Sequence, residues 1–256
     1  MAPLVLAASV RGPSHEAGGR PCEDALGWAR LGRAAAVLAV ADGAGSASLA
    51  RAGARAATDG AVAAVCRGFA GRLRQPAALA QRGARAARAA LERAAGGGSL
   101  RDFACTLLVA VWLERAAAAV HIGDGAAVGL RDEAWLLLSG PAPGEYVNET
   151  RFLSDTDWRR HLRTAGPVAG LDGLVLFTDG CQRAALRRPD PGPEAGNAAH
   201  EPFAPFLWPL ARFARSRPEP AAGERGLAAL LDSAKLRAVS DDDKTLALIW
   251  RQPRRA

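Results

Sequence analysis

The stretch VLAVADGAGSA, residues 37–47, runs a continuous apolar strand straight into an aspartate and a glycine. On its own an Asp-Gly pair after a strand is a turn signal, because glycine tolerates positive φ and Asp bonds its own backbone. The pattern recurs, however. AAVHIGDG reaches Asp124 and GLVLFTDG reaches Asp179, while in AVSDDDKTLALIW a strand begins directly after Asp241, Asp242 and Asp243. Sheets align their strand ends, so carboxylates at the ends of four apolar strands are expected to converge. Gathering several unpaired anions in one buried place is prohibitive, and a divalent cation is the natural compensation. Oxygen donors suit magnesium, manganese or calcium rather than zinc or copper. Four independent turns remain the plainer alternative at this level of reading.

With 256 residues, 49% hydrophobic and 23% charged, the chain has the make-up of an ordinary globular protein and is expected to form one domain over 1–256. The formal net charge is +7, yet Lys235 and Lys244 are its only lysines, and the arginines are spread along an alanine-rich sequence. A nucleic-acid groove would cluster its cations and interleave aromatics for stacking. The Arg-rich run at 82–93 reads instead as a solvated helix face, so no nucleic-acid partner is expected. No apolar window approaches the ~20 residues of a membrane span, and no leader segment is evident. Cys22, Cys66, Cys105 and Cys181 form no CxxC pair, and the four histidines lack metal-ligand spacing. A monomeric cytoplasmic protein away from membranes is the expectation.

LVLAAS near the start and residues 34–41 read as strands, with the Gly- and Pro-rich residues 12–27 as a loop between them. Alanine, leucine and arginine recur at helical spacing over 46–67 and 76–95. DFACTLLVAVWLE, AAAAVHIGD, AAVGLRD and AWLLLS then alternate with short charged or glycine turns, the pattern of consecutive antiparallel strands. Residues 140–166 are polar and read as an excursion from the sheet, and 187–201 as a mobile loop. A strand at GLVLFTDG, helices over 203–215 and 222–236 and a final strand, TLALIW, complete an α+β layering.

CED at 22–24, ADGAG at 41–45, CTLL at 105–108, GDG at 123–125, FTDG at 177–180 and DDKT at 242–245 form an ordered set. That set resembles the metal-dependent protein phosphatases, the protein phosphatase 2C family, over residues 9–250. GPSHEAGGRPCEDA and GEYVNETRFLSD are similar to a compact bacterial subgroup of it. The resemblance implies a four-layer α-β-β-α sandwich, a central antiparallel β-sandwich flanked by helix pairs. It also implies a site holding two magnesium or manganese ions, with room for a third, that hydrolyses phosphoserine or phosphothreonine in proteins. By matching motifs, Asp42 would bridge the two metals beside the Gly43 carbonyl, Glu23 would bind one, and Asp179 and Asp242 the other. Asp124 would join Asp179 at a third metal, and Asp24 would sit behind the ligands. Asp241 and Asp243 read as flanking, solvated acids. The two ions would acidify the water between them for direct attack on phosphorus.

Two departures from the family's pattern stand out. Many relatives follow the Asp-Gly pair with a histidine proposed as general acid, whereas this chain has Ala44, which leaves His15 and His121 as candidate proton donors. His121 lies in an apolar strand and reads as a core residue, so His15 is the better candidate for contact with the substrate. Relatives also place a phosphate-binding arginine four residues before the metal-binding Glu; here Gly19 is there and Arg20 follows it. Arg20 either reaches the phosphate or is a surface residue. Glu145, Asn148, Glu149 and Thr150 of the excursion are candidate substrate or flap contacts, with Tyr146 and Phe152 as anchors. Trp158 and the Arg159, Arg160, His161 run read as an exposed helix. A partner-binding relative without activity would have lost one of the acids, and a small-molecule phosphatase would share the same motifs. A kinase acting on the same substrates is the expected functional counterpart.

Overall fold

The computed structural model describes residues 2–114, 116–141, 150–188 and 200–252. In chain order the first half comprises β1 (Leu4–Val10), α1 (Pro13–Ala17), β2 (Ala25–Arg30), β3 (Ala35–Ala41), α2 (Ala50–Ala70), α3 (Pro76–Ala95), β4 (Leu107–Leu113) and β5 (Ala116–Ile122). It continues with β6 (Ala126–Arg131), β7 (Ala134–Ser139), α4 (Trp158–His161), β8 (Arg163–Val168), β9 (Gly173–Phe177), α5 (Gln182–Ala185), β10 (Leu186–Arg187) and β11 (Glu201–Pro202). Then follow α6 (Ala204–Arg215), α7 (Pro220–Leu231), α8 (Ala234–Arg237) and β12 (Lys244–Trp250).

The longer strands form two five-stranded antiparallel sheets, ordered β1-β12-β9-β6-β7 and β2-β3-β4-β5-β8. Strand β3 shows why the chain folds this way. Its residues alternate between two buried faces: Ala36, Leu38 and Val40 meet the other sheet, while Ala35, Val37, Ala39 and Ala41 meet α2 and α3. A strand covered on both sides needs an unbroken apolar sequence, as residues 34–41 supply. On the far side, the sheet of β1, β12 and β9 buries Leu6, Val175, Phe177 and Leu248 against Leu207, Leu210 and Leu227 of α6 and α7. The order of layers is therefore helix, sheet, sheet, helix.

Helix α3 enters on Pro76, whose missing N–H costs nothing at the first turn, and stops at Gly96, which takes φ 55°. Two expectations are corrected. The excursion after β7 ends before residue 163, because Arg163–Val168 return as strand β8 on the edge of the sheet that packs on α2 and α3, beside β5. Trp158 is not an exposed helix residue: it is 3% exposed within the core beneath α2 and α3. Arg88 of α3 fastens this return segment, donating to the Leu153 and Asp155 carbonyls at 2.9 and 2.7 Å. Glu145, Tyr146, Asn148 and Glu149 lie outside the described residues, as does most of the 187–201 loop. No helix among the described residues is long and apolar enough to cross a membrane.

The sandwich interior should dominate stability. Leu38→Ala, at a site with 0% exposure, is expected to cost about 2–5 kcal/mol in urea unfolding, whereas Leu49→Ala, 45% exposed, should stay within about 0.5 kcal/mol.

Candidate metal centre

Strand β3 delivers Asp42 and strand β9 delivers Asp179 at the same end of the two sheets. Asp124 lies in the turn where the chain passes from β5 in one sheet to β6 in the other. One carboxylate oxygen from each of these three residues lies within 4.8 Å of the others. Three of the acids at the strand ends thus come together.

The glycines of the Asp-Gly pairs serve a different purpose from a turn. Gly43 and Gly180 are not among the residues at positive φ. Instead, a Cβ on Gly180 would stand 1.9 Å from the Asp243 carbonyl oxygen, and one on Gly43 would stand 2.8 Å from the Ala50 carbonyl carbon. Any side chain there would push apart the segments that carry the acids. Thr106 fixes Asp42 from behind, its hydroxyl accepting from the Asp42 N–H at 2.9 Å and its own N–H donating to the Asp42 carbonyl at 2.8 Å.

A cleft of about 340 Å³ opens over this edge, lined by Ser14, His15, Arg20, Asp42, Gly43, Gly45, Asp241 and Asp242. Arg20 does reach the site. Its Nη2 donates to Glu23 Oε2 at 2.7 Å and to the Gly45 carbonyl at 3.2 Å. Glu23 is thereby held by Arg20, apart from the Asp42–Asp124–Asp179 group, while Asp242 faces the cleft beside Asp42. Asp24 is buried behind them and accepts from the Thr178 hydroxyl at 2.8 Å. Thr150, where the excursion re-enters the described residues, donates to Asp124 Oδ2 at 2.8 Å.

Asp243 departs most from its sequence reading. It is 1% exposed rather than solvated, and its carboxylate accepts the backbone N–H groups of Gly12 at 2.7 Å and Glu23 at 2.6 Å. His15 Nδ1 lies 2.8 Å from the same carboxylate. Lys244, also buried, donates to the Asp242 carbonyl at 2.7 Å. These contacts escaped the sequence reading because a run of three acids looks solvated; the signal was the apolar strand starting immediately after it. His121 is a core histidine as expected, buried with Nδ1 2.8 Å from Arg163 Nη2 and 2.9 Å from Ser139 Oγ. Burial, then the neighbouring Arg163 charge, hold it neutral by lowering its pKa well below the ordinary value.

The electrostatics ask for positive charge. Burial, followed by Asp24, Asp179, Asp242 and Asp124, raises the Asp42 pKa well above the usual carboxylate range. Burial, then Asp124, Asp242 and Asp24, pushes Asp179 up to about 8, and burial raises Asp24 to about 7. Among the described residues, Asp24 Oδ1, Asp124 Oδ1 and Asp179 Oδ1 are buried without a hydrogen-bond partner. Unpartnered carboxylate oxygens that repel one another fit a hard divalent cation, which would satisfy them and reverse these shifts.

A four-layer sandwich with an all-oxygen acidic site at one sheet edge defines a metal-binding phosphatase architecture. The family described as Protein phosphatase 2C matches residues 11–232. Serine/threonine-protein phosphatase 3 of Escherichia coli (strain K12) is 34% identical over 260 aligned positions, covering 96% of this chain and 98% of that protein. The chain belongs to the protein phosphatase 2C family. Among solved structures, a bacterial serine phosphatase superposes with a TM-score of 0.62 at 16% identity, covering 98% of this chain and 99% of that one. The catalytic domain of serine threonine protein phosphatase PstP, solved with 2 manganese ions, gives a TM-score of 0.57 at 20% identity, covering 97% of each chain. These two likenesses concern the fold.

The raised carboxyl pKa values set the pH response of the metal-free protein. The folded state keeps protons on Asp24 and Asp179 up to about 7 and 8, against an ordinary 3.8, so it binds more protons than the unfolded chain between those values. Stability in chelator should therefore fall as pH rises from about 4 to about 8, and manganese should flatten the decline. Melting temperatures measured across that range with and without manganese test this; stability that rises with pH in chelator contradicts it.

Proposed function

We propose that the protein removes phosphate from phosphoserine and phosphothreonine in proteins, by direct attack of water at a two-cation magnesium or manganese centre in this cleft. The observation that carries the reading is the convergence of Asp42, Asp124 and Asp179, with buried oxygens left over for a cation. It is supported by the name of the 34% identical relative and by the manganese in the PstP structure. Two divalent cations bound here would acidify the water between them and polarise the phosphoryl oxygens.

In this reading Asp42 and the Gly43 carbonyl would serve both cations, Glu23 would complete one site, and Asp179 and Asp242 would hold the other. Asp124 would serve a third cation, and Asp24, fixed by Thr178, would orient the group from behind. Arg20 swings from Glu23 towards the substrate phosphate, where a guanidinium is the natural partner of two phosphoryl oxygens. The cysteines offer no competing nucleophile: burial pushes the Cys22 thiol up to about 12, and Cys105 and Cys181 are fully buried with their pKa values raised further. The full set of acids argues for an enzyme over a partner-binding relative. The substrate comes from a kinase that phosphorylates serine or threonine, and we place the reaction in the cytoplasm, on a monomer, without nucleic acid or membrane.

Purified protein should hydrolyse p-nitrophenyl phosphate and a phosphothreonine peptide with manganese or magnesium and not with chelator. Asp42→Ala and Asp179→Ala should each lower turnover by more than about 100-fold. In chelator near pH 8 the same variants should melt higher than the wild type, because each removes a carboxyl group that ionises freely in the unfolded chain and is held back from ionising in the fold. Turnover near wild type in either variant would sink the assignment. Arg20→Ala should raise KM by about tenfold with a smaller change in kcat, as loss of a phosphate contact predicts.

A further inference from the structure

The position that follows Asp42-Gly43 offers nothing to a leaving group. Ala44 is 6% exposed and packs with Ala47, Ala50, Ala104 and Phe152, away from the cleft. Yet a seryl or threonyl oxygen leaves as a strongly basic alkoxide unless a proton reaches it as its bond to phosphorus breaks. A candidate donor stands in the wall of the same cleft. His15, on α1, has Nδ1 2.8 Å from Asp243 Oδ2 and lines the cleft with Arg20, Asp42, Asp241 and Asp242.

The carboxylate behind His15 is unusually well fixed. Asp243 is 1% exposed and is anchored by the N–H groups of Gly12 and Glu23, which belong to the two segments flanking α1. The helix is docked by a further bond, from the Ser14 N–H to the Asp241 carbonyl at 2.9 Å. A buried carboxylate 2.8 Å from Nδ1 orients the ring. With Nδ1 turned towards Asp243, Nε2 is the nitrogen left to serve the cleft.

We propose that His15, positioned by Asp243, is the general acid of phosphoester hydrolysis. This rests on the phosphatase reading above and adds to it the group that protonates the leaving alcohol. Water forms the new bond to phosphorus as the bond to the seryl or threonyl oxygen breaks. The Nε2 proton passes to that oxygen, and the proton lost by the attacking water re-protonates the imidazole through solvent. The products are the alcohol and inorganic phosphate, with no net change in protons on the enzyme.

The test uses the full chain with manganese and two substrates that differ in their need for an acid. The nitrophenolate of p-nitrophenyl phosphate departs unaided, whereas the alkoxide of a phosphothreonine peptide does not. His15→Asn keeps an N–H able to reach Asp243 and has no counterpart of Nε2, so it separates tethering from proton transfer. It should lower kcat on the peptide by about 100-fold while leaving kcat on p-nitrophenyl phosphate within about threefold. Equal losses on both substrates, or no loss on either, overturn the proposal. A second readout needs no metal or turnover: ¹⁵N spectra of the metal-free protein should show the neutral His15 ring protonated at Nδ1, and protonation at Nε2 instead overturns it. Wild-type protein inactive on both substrates would refute the phosphatase reading itself, and this proposal with it, a result distinct from a defect confined to the variant.

Discussion

Mutual repulsion among crowded, half-buried carboxylates is the constraint on which this structure depends. Asp42 comes from one sheet, Asp179 from the other, and Asp124 from the turn that connects them, so no single segment of chain can relieve the crowding by moving alone. The edge keeps its shape because the strands behind it are locked on both faces. Three apolar layers, under α2 and α3, between the sheets, and under α6 and α7, fix the register that brings the acids together. Hydrophobic burial is non-directional, but once it has set the register of β3, β9 and β12 it dictates where each carboxylate must stand.

Contacts within the loops then convert a rough convergence into a defined site. Asp243 is the centre of that arrangement: it holds the start of α1 through Gly12 and the segment before β2 through Glu23, and its carboxylate lies 2.8 Å from the imidazole of His15. Its carbonyl lies so close to Gly180 that the loop after β9 and the loop before β12 leave no room for a side chain between them. Thr178 and Thr245 continue this seam, with Thr178 donating to Asp24 and accepting from the Thr245 N–H at 3.1 Å. Hydroxyl groups suit this place because they add hydrogen bonds without adding charge.

Much of this was legible in the sequence because the chain's apolar runs are long, clean and interrupted at the right places. Residues 34–41, GLVLF and TLALIW announce strands buried on both faces, and the recurring Asp at their ends announces the site. What escaped was any feature whose meaning depends on a distant partner. Asp243 looks like one acid among three until β12 is placed beside α1, and Trp158 looks exposed beside two arginines until the return segment is pinned by Arg88. Arg20 could not be placed from its spacing alone. Gly18 and Gly19 precede it, and the bend they allow, with Gly19 at φ 65°, brings the guanidinium onto Glu23 and Gly45. Glycine in the Asp-Gly pairs was read for its torsional freedom, while the structure uses its lack of a side chain.

The same crowding links cation binding to protons. Carboxyl groups whose pKa values rise to about 7 and about 8 hold protons near neutrality when no cation is present, and a cation must displace them. Affinity for the metals then increases with pH through the neutral range, before any catalytic group is considered. Arg20 would add a second competition, since a cation bound by Glu23 would have to draw it from a guanidinium 2.7 Å away. That exchange would release Arg20 at the moment the site acquires the charge needed to bind phosphate. Binding of metal and readiness for substrate would thus be coupled through one side chain, because Arg20 cannot serve Glu23 and an incoming phosphate with the same edge.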